Sequence, residues 1–134
     1  MVRISRYVYA LLAWAFVVGL LVQVFLIGLG LFDDAELRKV HANFGWILHL
    51  APILIVPFAY FSRAGRQHWV WALALVVVVF LVPIFAVLRD SSPVLAALHP
   101  VSAVITFAVA CVVAWNSVGA VRMKDDAAPA QSAR

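Results

Sequence analysis

Three histidines lie inside apolar stretches of this sequence, where an ionisable side chain is costly and its usual role is functional. They are His41, His49 and His99, and the glutamine Gln23 accompanies them. A neutral imidazole binds a metal or a haem iron through one ring nitrogen and donates a hydrogen bond through the other. These residue types predict either a metal or haem site or a set of polar contacts between helices. The fourth histidine, His68, falls in a predicted turn, and we interpret it as an ordinary interface residue.

Four apolar runs carry these residues and dominate the chain. Apolar residues make up 66% of the sequence and charged residues 12%, against roughly 45–50% and 25% in an average soluble domain. A helix needs about 20 residues to span a membrane, and every run is at least that long. The predicted spans are residues 7–32, 40–61, 69–88 and 94–115, within a single domain 1–120. The first run is longer than the apolar part of a signal peptide, so we expect a retained span.

Short connections between four spans predict an all-α, up-down-up-down bundle in which the second and fourth spans face each other across a diagonal. Lys and Arg concentrate in cytoplasmic loops, so their distribution predicts the orientation. Seven lie at one end of the bundle: Arg3, Arg6, Arg63, Arg66, Arg122, Lys124 and Arg134. Three lie at the other end: Arg38, Lys39 and Arg89. We therefore expect both termini in the cytoplasm and a disordered cytoplasmic tail at 121–134. The basic excess needs no nucleic acid to explain it.

The polar residues of three spans fall at one depth. Asp34 is the predicted N-cap of the second span and Ser92 that of the fourth. Counted from these caps, His41 and His99 each lie about seven residues into a helix, or roughly 10 Å. Gln23 lies at a similar depth, counted back from the end of the first span. The sequence therefore predicts one polar layer near the end of the bundle opposite the termini.

Small residues accompany this layer at helical spacing. Gly45 follows His41 by one turn, and Gly30 shares a helical face with Gln23. Small residues let helices approach closely in lipid, and they also leave room for the edge of a flat cofactor. We therefore count Gly30 and Gly45 among the candidate cofactor-binding residues.

Two neutral imidazoles facing each other across a bundle are the usual axial ligands of a b-type haem. The first interpretation is therefore electron transfer by one haem b, with iron ligated by His41 and His99, or by His49 and His99 as second choice. Gln23 then bonds to a ligand or to a haem propionate, and the protein needs a membrane redox partner or a quinone. Pro100 leaves open the depth of His99, because it could break the helix there.

The second interpretation is a cofactor-free membrane subunit. Its histidine and glutamine layer holds the bundle together, and it acts through another membrane protein. A bare metal, quinone or proton-relay role is a third interpretation. Nothing in the sequence predicts a stand-alone enzyme, because no catalytic triad and no phosphate-binding loop is present.

Three segments carry a resemblance to a known family: residues 23–32, residues 41–46 with His49, and the tripeptide Leu98-His99-Pro100. Together they resemble a domain-of-unknown-function family of small four-pass bacterial membrane proteins, over roughly residues 7–115. The resemblance implies the four-span fold, the bacterial cytoplasmic (inner) membrane and a recurring Gln, Gly and two-His pattern, but no established activity. More distantly, the layout is similar to that of four-helix b-type cytochromes, which is an analogy of fold.

Overall fold

The computed structural model describes residues 1–123, and every regular element in that range is helical. The elements are α1 (Val2–Phe32), α2 (Leu37–Leu48), α3 (Leu50–Phe61), α4 (Arg66–Val87), a 3-10 turn (Leu88–Asp90), α5 (Pro93–Ala96) and α6 (Leu98–Arg122). They make four spans of membrane length: Val2–Phe32, Leu37–Phe61, Arg66–Asp90 and Pro93–Arg122. The predicted all-α, four-span fold is confirmed. The helices extend beyond their apolar runs, and most of the predicted tail lies outside the described residues.

Prolines explain why the second and fourth spans each consist of two helices. A proline lacks an N–H, so the carbonyl four residues earlier loses its helical partner. Pro52 frees the carbonyl of Leu48, where α2 ends, and Pro100 frees that of Ala96, where α5 ends. The residue at each junction keeps right-handed helical angles, so both spans continue through the break. The break in the fourth span therefore comes before His99, which lies in the first turn of α6.

The two predicted N-caps have different outcomes. Ser92 is the N-cap residue of α5 and Pro93 is in the first turn, although the serine hydroxyl makes no capping hydrogen bond. The prediction for Asp34 is wrong, because the N-cap of α2 is Glu36. The carboxylate of Asp34 instead accepts the amide of Glu36 at 2.9 Å. This local bond turns the chain before the helix begins, which is the usual competition between an aspartate and helical backbone.

The four spans pack around a square. Helix α1 packs against α2, α3 and α6, while α4 packs against α3 and α6. The second and fourth spans therefore occupy opposite corners, as the short connections predict. Only 17–22% of the most apolar window of each span is buried inside the bundle. The remaining apolar surface is available to lipid, which is what a membrane-embedded bundle requires.

Packing is tightest in the half of the bundle nearer the termini. We call this end, which also carries the turn between α3 and α4, the terminal end, and the opposite one the far end. The fully buried side chains of the terminal half come from every span: Tyr9, Phe16, Ile55, Leu75 and Val113. In contrast, α2 at the far end has no buried residue and rests mainly on α1.

Gly30 sets how closely α1 and α2 approach. A Cβ added there would lie 3.0 Å from the backbone nitrogen of Arg38 and 2.7 Å from its Cγ. Gly28, two residues earlier on the same helix, has no atom within 4 Å of its Cβ position. The two glycines therefore form a matched pair, of which only Gly30 is constrained by a neighbouring helix.

We expect Gly30→Ala to destabilise the protein by roughly 1–3 kcal/mol, because both the Cγ and the backbone nitrogen of Arg38 would have to shift. Gly28→Ala should be neutral or stabilising by up to about 1 kcal/mol, because alanine favours the helix. Thermal unfolding in mild detergent measures both changes. Equal effects of the two substitutions would contradict a close α1–α2 contact at Gly30.

Candidate functional site

The structure brings His41 and His99 together at the far end. Their ring centroids lie 6.4 Å apart, and the ring planes meet at 76°. His41 is on α2 and His99 on α6, so the pair crosses the diagonal of the bundle. Both residues are half-buried. The pair is therefore a contact between two spans that otherwise occupy opposite corners.

Main-chain carbonyls fix the orientation of both rings. Nδ1 of His41 lies 3.0 Å from the backbone oxygen of Gln23, and Nδ1 of His99 lies 2.9 Å from that of Val82. A carbonyl oxygen only accepts, so each Nδ1 donates, and a neutral ring then carries a lone pair on Nε2. Neither Nε2 has a hydrogen-bond partner in residues 1–123. Proteins use this arrangement to present an imidazole to a metal, with the second nitrogen held by a carbonyl.

Gln23 contributes to the layer through both its backbone and its side chain. Its carbonyl accepts the bond from His41, while its side-chain Nε2 lies 2.6 Å from where a Cβ of Gly45 would be. The amide group of Gln23 therefore occupies space that a side chain at position 45 would fill. The side-chain oxygen of Gln23 is buried and has no hydrogen-bond partner within the described part of the chain.

His49 lies deeper and does not join the pair. Its ring packs between Trp46 and Phe80, with centroid distances of 5.4 Å to each. Nδ1 faces the backbone oxygen of Gly45, and Nε2 lies 3.0 Å from that of Val79. A neutral ring carries one N–H, so only one of these two contacts is a hydrogen bond, but a carbonyl oxygen lies in front of each nitrogen. His49 therefore presents neither nitrogen to a metal.

Pro83 explains the contact of His49 with α4. This proline lacks the N–H that would bond to the carbonyl of Val79, four residues earlier. A carbonyl without a partner is costly in a bilayer, and side chains from neighbouring helices commonly satisfy it. Nε2 of His49 is the group that does so here.

The other predicted site residue, Gly30, lies against Arg38 at the start of α2. It is buried, and it shapes the α1–α2 contact one to two turns from the histidine pair. No group of three or more His, Cys, Asp or Glu that could hold a metal ion occurs in the described residues. The layer therefore offers two imidazoles and no third protein ligand from these residue types.

The sequence analysis missed the contribution of α4. The apolar run of this span has no polar side chain apart from tryptophan, and none of the candidate site residues lies on it. It supplies instead the backbone oxygens of Val79 and Val82, which fix the rings of His49 and His99. Pro83 was the available signal, since it identifies in advance the carbonyl that a neighbouring helix must satisfy.

A second polar cluster lies at the terminal end, and the sequence analysis missed it too. Arg6 is only 6% exposed, and its guanidinium donates to the backbone oxygens of Ser62 and Met123, at 3.1 and 2.9 Å. It thereby caps the ends of α3 and α6, where carbonyls lack helical donors. Tyr9 donates to the backbone oxygen of Val113 at 3.2 Å, in the same half of the bundle.

His68 belongs to this cluster and not to an exposed turn. Its side chain is 5% exposed and meets the ring of Tyr9 edge to face, at a centroid distance of 6.0 Å. The prediction of a turn at His68 is wrong, because α4 begins at Arg66 and His68 is one of its buried residues. The sequence does indicate this burial, because His68 precedes Ala72 and Leu75 at helical spacing on one buried stripe.

The fold and the layer together define an integral membrane protein of four helices with paired histidines near one end. The model of a family of unknown function, DUF6220, matches residues 23–88. The match includes Gln23, His41 and His49 and ends before His99. It confirms the resemblance to a domain-of-unknown-function family over just under half of the chain. The comparisons with curated proteins and with solved structures give no match.

The bond between His49 and Val79 can be tested by a double-mutant cycle with Pro83. We expect His49→Leu to destabilise the protein by about 1–2 kcal/mol, because it leaves the carbonyl of Val79 without a donor. Pro83→Ala restores a backbone N–H for that carbonyl, so in its background the cost should fall by roughly half or more. Unfolding by sodium dodecyl sulfate from mild detergent measures these differences.

Phe80→Leu is the matched control, because Phe80 touches the same ring without a hydrogen bond. Its effect should add to that of Pro83→Ala. Additivity of His49→Leu with Pro83→Ala would mean that the histidine does not satisfy the freed carbonyl.

Proposed function

We propose that this protein holds one haem b between His41 and His99 and transfers electrons within the membrane. The observation that carries the proposal is the pair of imidazoles whose Nδ1 atoms are held by carbonyls, while neither Nε2 atom has a hydrogen-bond partner within residues 1–123. Neutral histidines with this support are ready to ligate an iron. A haem ligated in this way supplies one-electron transfer.

The spacing of the rings fits such an iron. An iron that takes one nitrogen from each side at about 2 Å sets the imidazole centroids roughly 6 Å apart. The centroids of His41 and His99 are 6.4 Å apart. Two protein ligands also suit a metal that brings its own equatorial nitrogens, whereas structural zinc needs four protein ligands.

The surrounding residues have positioning roles in this proposal. The carbonyls of Gln23 and Val82 each accept a hydrogen bond from Nδ1, so Nε2 is the atom of each ring that would hold the iron. The buried amide oxygen of Gln23 can accept a hydrogen bond from a group in the site, such as a protonated propionate or an ordered water. Gly45 leaves room for that amide, and Gly30 keeps α2 close to α1.

We also propose where the protein lies in the cell and which molecules exchange electrons with it. The excess of Lys and Arg at the terminal end favours termini in the cytoplasm of a bacterium and the far end at the outer leaflet of its cytoplasmic membrane. The haem then lies near the outer surface, where a membrane redox partner or a quinone can exchange electrons with it.

The alternative proposal is a cofactor-free subunit that acts through another membrane protein. The observation that favours it is that His41, His49 and His99 each bond to a main-chain carbonyl of a neighbouring helix. Such bonds contribute roughly 0.6–2 kcal/mol apiece in membranes. They hold the bundle together without any cofactor.

Visible spectroscopy distinguishes the two proposals. Protein purified in mild detergent from a haem-replete host should show a Soret band, with sharp α and β bands after dithionite reduction. His41→Gly and His99→Gly should each lose this low-spin spectrum, because one axial ligand is removed, and external imidazole should restore it. His49→Leu should keep it, because that ring faces two carbonyls.

A protein that is folded by circular dichroism but has no Soret band, even after incubation with haemin, would exclude the haem proposal. The same holds if His41→Gly and His99→Gly keep the spectrum of the unmodified protein. A colourless protein with reduced stability in all three histidine variants would support the cofactor-free subunit.

A further inference from the structure

The charges of the bundle are arranged differently at its two ends. At the far end, Glu36 pairs with Lys39 at 2.6 Å and Asp90 pairs with Arg89 at 3.5 Å. Every Asp and Glu in residues 1–123 lies at that end. The terminal end carries five arginines and no carboxylate in the same range: Arg3, Arg6, Arg63, Arg66 and Arg122. Within residues 1–123 this end is therefore strongly basic, and a basic surface attracts anionic ligands.

A groove of about 510 Å³ opens at this end beside the turn between α3 and α4. Its lining combines the cation of Arg63 with three aromatic rings and one glycine: Tyr60, Phe61, Trp69 and Gly65. The ring of Tyr60 meets those of Phe61 and Trp69, at centroid distances of 5.4 and 6.5 Å. Tyr60 and Phe61 are about 60% exposed, so their outer faces are available to a ligand.

The depth of the groove fits a lipid headgroup. It lies where two apolar spans end, and Tyr and Trp are typical of the level of the headgroups. The backbone turns there through Arg63 and Gly65, with φ of 51° and 113°, which carries the chain from α3 to α4 within four residues. The start of α4, a helix of 22 residues, borders the groove and has no side-chain cap, so its positive dipole end favours an anion.

We propose that this groove binds an anionic phospholipid, with the phosphate on Arg63 and the start of α4 and the upper acyl chain along Phe61 and Tyr60. Arginine suits this role because its planar guanidinium can donate two hydrogen bonds to one phosphate. The aromatic rings supply apolar surface for the chain that follows the headgroup. The site is independent of the histidine layer, which lies at the far end.

The test is thermal unfolding in mild detergent with added phospholipid. Dioleoylphosphatidylglycerol should raise the midpoint by several degrees, whereas dioleoylphosphatidylcholine should raise it by less than half as much. Arg63→Gln should lose at least half of the phosphatidylglycerol effect, and Arg63→Lys should keep more than Arg63→Gln. Arg3→Gln is the matched control, because it removes the same charge from the same end outside the groove and should keep most of the effect.

Each remaining outcome would overturn the proposal. An equal loss in Arg3→Gln and Arg63→Gln would mean that only the summed charge of this end attracts lipid. Equal shifts with the two lipids would remove the requirement for an anion. A shift of the same size with inorganic phosphate alone would assign the site to a free anion.

Discussion

The structure depends on one constraint, which is that a backbone carbonyl in a bilayer has no water to bond with. Prolines in three of the four spans break the helical hydrogen-bond pattern and so create carbonyls that need another donor. The response differs from place to place. At Leu48 and Ala96 the span is interrupted and then continues. At Val79 the ring of His49 crosses from the neighbouring span and donates its N–H. In this bundle the intramembrane histidines therefore serve first of all as hydrogen-bond donors to main-chain carbonyls.

The same constraint connects structure to the candidate site. A histidine that donates through one nitrogen to a carbonyl has its ring held and its other nitrogen defined as an acceptor. His41 and His99 are in this state, and His49 differs from them because both of its nitrogens face carbonyls. Identical side chains thus have different chemical capacities, and the difference comes from the backbone of the neighbouring helices.

The two ends of the bundle differ in packing and in charge. The terminal end is closed by large buried side chains and by the guanidinium of Arg6, which caps two helix ends at once. At the far end, α2 has no buried residue, and its acidic and basic side chains pair with each other. A polar pair such as His41 and His99 can therefore sit where packing is loose, without disturbing the apolar core. The terminal end is strongly basic within residues 1–123, so it favours an anionic ligand such as a phospholipid headgroup.

The sequence is sufficient to predict the four spans and the antiparallel bundle, because helical rise and apolar run length set these quantities. It also placed Gln23 and His99 near His41. The contacts between helices determine which nitrogen of each ring is hydrogen-bonded, and they place His49 apart from the pair. These outcomes depend on the rotation and closeness of helices distant in sequence, which close approaches such as Gly30 against Arg38 set. Helical spacing in the sequence was enough to predict that His68 is buried. The hydrogen bonds of Arg6 could not be predicted, since their acceptors are backbone atoms that carry no sequence signal.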